Sequence, residues 1–72
     1  MSRDTAEIKH RLNVSFAQAG QFKAAMEYLD NVGECKTAWF DEDFDPIGPQ
    51  TRADMMKHGA LIEREGLLFP AF

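Results

Sequence analysis

Cys35 is the single cysteine of this 72-residue chain, so no internal disulfide can brace it. No second thiol and no histidine stands at metal-ligand spacing from it, which excludes the usual zinc sites. Gly20, Gly33, Gly48, Gly59 and Gly66 are scattered rather than gathered into a phosphate-cradling loop, and each has a structural reading. No cofactor is implied. The opening residues MSRDTAEIKH lack the apolar core of a signal peptide. Nowhere does an apolar run approach the roughly 20 residues that span a bilayer. These absences point to a cytoplasmic protein in a reducing compartment, with no membrane partner. Nucleophilic catalysis is equally unsupported. Ser15 reads as a helix cap, Cys35 has no histidine near it in sequence, and His10 and His58 read as surface groups. The chain does not read as an enzyme.

What is present reads as one small domain over residues 1–72. Residues 1–4 form a flexible lead, and residues 69–72 an extended tail. A hydrophobic share of 44% against 28% charged residues favours a globular chain over a disordered one. At this length core burial and chain entropy nearly cancel, leaving on the order of a few kcal/mol. A homodimer interface, a protein partner or nucleic acid could therefore supply much of the stability. The net charge of −4 is unevenly spread. Residues 1–29 carry +1, residues 30–46 carry −5, and residues 47–72 balance. The two ends are thus not intrinsically repelled by phosphate.

Asp4-Thr5-Ala6-Glu7 fits a capping box, with Asp4 accepting from the Glu7 N–H, and predicts a short helix from Thr5 to about Leu12. Ser15-Phe16-Ala17-Gln18 is a second box and opens a helix from Phe16 to about Asn31. Phe22, Met26 and Leu29 give it an apolar stripe, widened by Ala25 and Val32, and Gly33 suits its C-terminal left-handed position. Gly20 within it suggests a close helix crossing. Residues 34–40 suit either a strand or, with Thr37 as cap, a short helix over 38–43; the helix is favoured. Pro46 stops that element, and Pro49 suits the first turn of the next.

The next helix is expected from Pro49 to about Glu65, closed by Gly66, with Leu67 packing back on Ile62. On its wheel Ala53, Met55, Met56, Gly59, Ala60 and Ile62 share one half. Gln50, Asp54, Lys57, His58 and Arg64 fall in the other, with Thr51 at its edge, while Arg52 and Glu63 intrude on the apolar side. The two long helices should pack through Phe22, Met26, Leu29, Met56 and Ala60. Trp39, Phe40, Phe44, Phe69 and Phe72 are expected to fill the space between the short helix and helix 16–31, with Phe69 to Phe72 the most exposed. Pro70 keeps LLFPAF extended, and the chain ends before a second wing strand is expected.

The stretch KTAWFDEDFDPIGPQTRADMMKHGALIEREGLL orders a short aromatic segment, a Pro/Gly turn and a long helical run. Residues 37–68 thereby resemble the second and third helices of a helix-turn-helix or winged-helix domain. The expected fold is mainly α, with three to four short helices, helix-turn-helix or winged-helix-like without a complete wing. The resemblance implies a small regulatory protein that binds double-stranded DNA, with helix 49–65 in the groove. Gln50, Thr51, Arg52, Lys57, His58 and Arg64 are the side chains for base edges and phosphates.

The acidic residues Asp41, Glu42, Asp43 and Asp45 argue for a different class. They suit an adaptor or inhibitor that binds a basic protein partner, with Phe69 and Phe72 as apolar anchors. Small size and acidity also fit accessory proteins of phage and mobile elements. Asp41, Asp43 and Asp45 match the first ligand positions of a calcium-binding EF-hand loop, but Pro46 and Arg52 occupy positions that need glycine and glutamate. An EF-hand is therefore rejected.

Overall fold

The computed structural model describes residues 3–43 and 48–72. Asp4 is extended, and its carboxylate accepts from the Ala6 N–H at 3.0 Å, which starts helix α1 (Thr5–Leu12). The cap is where it was expected, although the bond goes to Ala6 rather than Glu7. Asn13, at φ 57°, ends this helix in the left-handed region that asparagine tolerates better than most residues. Ser15 Oγ accepts from the Gln18 N–H at 3.1 Å and starts α2 (Phe16–Val32), which Gly33 closes at φ 75°. Ala19, Phe22, Ala25, Met26 and Leu29 are buried, so the predicted stripe faces the core. Gly20 makes no close crossing: a Cβ there would meet nothing within 4 Å.

Both readings of residues 34–40 occur, one after the other. Cys35–Lys36 form the short strand β1, and Thr37–Asp43 form helix α3. Helix α4 (Gly48–Lys57) comes next, then strands β2 (Leu61–Arg64) and β3 (Leu67–Pro70). The sheet is antiparallel, in the order β1-β3-β2. The fold is mainly α, with four short helices and a small three-stranded sheet.

The helix expected to reach Glu65 stops at Lys57 instead, and residues 61–64 are a strand. Gly59 adopts φ 75°, which leaves the helical region. Beyond it Leu61-Ile62 pairs with Phe69-Pro70, an arrangement that buries Leu61 and Leu68 together. Gly66 is consequently a hairpin turn residue and not a helix terminator. Glu65 and Gly66, at φ 53° and 78°, form a two-residue turn whose twist matches the strands. Ile62 faces Phe69 across the hairpin and does not take Leu67 as a helix-end partner. The hairpin also means that a second strand does form after α4.

The shorter α4 changes which residues it buries. Met55 is fully buried and Thr51 is 5% exposed, whereas Met56 is 42% exposed. Of the aromatic residues expected in the core, Phe40 is buried and Trp39 is 51% exposed. Phe69 and Phe72 are half-buried, with Phe72 packed against the core, and Phe44 lies outside the described residues. Arg3 and Phe72, far apart in sequence, meet. Arg3 donates to the Phe72 carbonyl oxygen from Nε at 2.8 Å and Nη2 at 2.6 Å, and its other nitrogen pairs with Asp30. That pairing holds the Asp30 carboxyl below the usual carboxylate range. Residues 71–72 are thus tied down, as the Ala71 N–H bond to the Ala60 oxygen at 2.9 Å also shows.

Candidate nucleic-acid interface

Helices α3 and α4 pack as a pair, and their contact is set by one glycine and one ion pair. A Cβ on Gly48 would lie 2.5 Å from the Asp41 backbone oxygen and 2.8 Å from its Cα, so the helices approach here to a distance only glycine permits. Arg52 on α4 reaches back to the same residue. Its Nε donates to Asp41 Oδ1 at 2.8 Å and its Nη2 to Oδ2 at 3.0 Å. A fork-on-carboxylate pair of this kind fixes orientation as well as distance.

The six side chains read as DNA contacts are divided by this arrangement. Gln50 and Lys57 are exposed on α4, although Gln50 Nε2 is bonded to Asp54 at 3.1 Å. Thr51 is buried and faces the core, and Arg52 is engaged by Asp41. His58 lies in the turn after α4, half-buried, with its ring 6.1 Å from that of Phe22. Arg64 is exposed on β2 and makes no ion pair among the described residues. The expected single polar face over 49–65 therefore does not exist. Gln50 and Lys57 lie on a helix, and Arg64 lies on a hairpin that packs beside that helix.

The residues of the rival surface are also partly engaged. Asp41 holds Arg52, and Asp43 accepts from the Tyr28 hydroxyl. Glu42 is exposed, and Asp45 lies outside the described residues. Phe72 packs on the core beneath the Arg11 guanidinium, whose carbon is 4.1 Å from the ring centre. What sequence reasoning missed is the opposite face of the sheet. Lys36, Ile62, Leu67 and Phe69 line it, and Lys36 Nζ lies 5.2 Å from the ring centre of Trp39. The signal was present in the alternation of Ile62, Arg64, Leu67 and Phe69, but only a strand assignment makes it readable.

Tyr28, Asp43 and Cys35 form a small polar link between α2, α3 and β1. The hydrogen bond to Asp43 pushes the Tyr28 hydroxyl well above the ordinary tyrosine range. Burial pushes the Cys35 thiol up. Both groups hold their protons more tightly when folded, so the unfolded chain ionises first as pH rises. Stability is then fully present below the unfolded cysteine value of about 8.5 and falls as pH climbs through the tyrosine range. Thermal melts between pH 8 and pH 11 should show this loss, and a Tyr28→Phe, Cys35→Ala variant should show a flatter profile. Equal slopes for parent and variant would remove the link from the explanation.

Among the described residues no helix is long and apolar enough to cross a membrane. No known protein family, curated protein or solved structure matches this chain.

Proposed function

We propose that this protein is a small regulator of the winged-helix kind that binds double-stranded DNA, with α4 as its recognition helix. One observation carries this reading. A helix pair, α3 and α4, is followed directly by an antiparallel hairpin, and the strand that precedes the pair closes the same sheet. In such domains the later helix enters the major groove and the hairpin lies against the backbone. Gln50 suits a base edge, while Lys57 and Arg64 suit phosphates on either side. Asp41 and Arg52 position α4 and neutralise each other, which lowers the repulsion that α3 would otherwise offer to DNA.

The cations available set the scale of binding. Two phosphate contacts, from Lys57 and Arg64, give a log–log salt slope of about −2. With so few contacts, sequence-independent affinity should be on the order of 10⁻⁴ M or weaker at physiological salt. Lys57→Ala should weaken binding to all duplexes alike and bring the slope to about −1. Fluorescence anisotropy over a salt series with a mixed-sequence duplex measures both quantities. Amide shifts on addition of duplex should gather on α4 and the hairpin turn. A parent protein that leaves duplex DNA unbound at low salt would overturn the reading.

The protein-binding alternative, an acidic adaptor using residues 41–45 with Phe69 and Phe72, has less behind it. Asp41, Asp43 and Phe72 already have partners within the fold.

A further inference from the structure

The outer edge of β2 and the sheet face beside it form a second surface, which shares Arg64 with the duplex contact proposed above and is otherwise distinct from the exposed face of α4. Ala71 N–H donates to the Ala60 oxygen across the hairpin, and the alternation of an antiparallel ladder then fixes the direction of each backbone group along β2. The backbone groups of Ile62 and Arg64 turn toward β3. Those of Leu61 and Glu63 turn away from β3, to the side where no further strand lies among the described residues. The side chains alternate the other way. Leu61 is buried, while Ile62, 38% exposed, and Arg64 stand on the outer face. There they border an open groove together with Glu65, Leu67 and Phe69.

An open strand edge beside an apolar groove invites strand addition. We propose that the β2 edge takes up an extended segment of a partner protein whose outward residues alternate apolar and acidic. The apolar residue would lie beside Ile62 and extend the contact toward Phe69. The carboxylate, two positions along the same strand, would lie beside Arg64. Both would occupy positions without backbone bonding between the side-chain bearers, where cross-strand side chains come closest.

Charge complementarity selects this occupant over a second copy. Antiparallel self-pairing through β2 keeps each residue on its own face, so Arg64 would meet Ala60, Ile62 or another Arg64. None of these is a carboxylate. Glu63 turns its side chain to the other face, and Glu65 lies in the turn beyond the ladder. The carboxylate next to Arg64 along the strand, that of Glu63, stands on the other face of the sheet and accepts from Thr37 Oγ1 at 2.7 Å.

The probes are two twelve-residue strand-forming peptides, identical except that one face carries Val-x-Glu in the first and Val-x-Lys in the second. Biolayer interferometry on the full chain should give about fivefold tighter binding of the glutamate peptide. In Arg64→Glu the preference should invert. Hydrogen exchange should slow at the Leu61 and Glu63 amides of the parent when the glutamate peptide is bound. Failure of both peptides to bind at millimolar concentration would overturn the proposal, as would a preference that survives Arg64→Glu. Binding of single-stranded oligothymidylate with protection at the same amides would assign the edge to nucleic acid instead, and also overturn it. Duplex binding through Lys57 is read in a separate assay, so either proposal can fail alone.

Discussion

Met55→Asp should unfold this protein, while Met56→Asp, one position further along the same helix, should cost less than about 1 kcal/mol. Met55 is fully enclosed, and Met56 is 42% exposed. A carboxylate at position 55 would lose water with no partner to replace it, a penalty of several kcal/mol. A domain of this length has on the order of 4–10 kcal/mol in total, so the loss removes much or all of its stability. At position 56 the carboxylate stays hydrated and meets only the weakly unfavourable C-terminal end of α4. Urea denaturation followed by circular dichroism distinguishes the two. Equal losses would mean that α4 is rotated about its axis relative to the core. The contrast matters for function, because the same rotation decides whether Gln50 and Lys57 point outward.

Gly48→Ala should be the most damaging single-methyl change in the chain, with a loss of about 2–3 kcal/mol or more. The added carbon would lie 2.5 Å from the Asp41 backbone oxygen, and the atoms it meets are main chain rather than a movable side-chain tip. Relief requires α3 and α4 to part, which would also stretch the paired bonds from Arg52 to Asp41. Gly20→Ala is the matched control. It has open space around the added carbon and a helical backbone, so it should stabilise by a few tenths to about 1 kcal/mol. If Gly48→Ala melts with the parent, the close approach of the two helices is not a constraint. In that case the presentation of α4 depends on something other than this contact.

The difference between these two glycines shows where sequence reasoning ends. Gly20 stands in a strongly periodic helix and reads as a packing glycine, yet nothing approaches it. Gly48 stands between two prolines and reads as a turn residue, yet its missing side chain is what admits Asp41. A glycine's local pattern is visible in sequence, whereas its neighbour across a helix pair is not. Thr51 has the same lesson. Its hydroxyl suits a DNA base edge, but its position on α4 turns it into the core.

Local rules determined the first half of the chain by themselves. Ser15 and Gly33 mark the ends of α2 because a cap and a left-handed stop act over one turn. Phe22, Met26 and Leu29 face the core because their spacing matches the helical repeat. The mainly α character arises from the same short-range physics. Residues 58–70 were decided by tertiary structure alone. Ala60, Ile62 and Arg64 fit a helix continuing from α4, but the strand can bond to Leu67–Pro70 and bury Leu61 with Leu68, which a longer helix cannot do. The alternation that reveals a strand spans only four residues on each side of the turn, too few to outweigh a helical pattern without the pairing partner in view. That pairing moved Arg64 from a helix face to a sheet face. It also created the open edge of β2, which no periodicity along the chain could have shown.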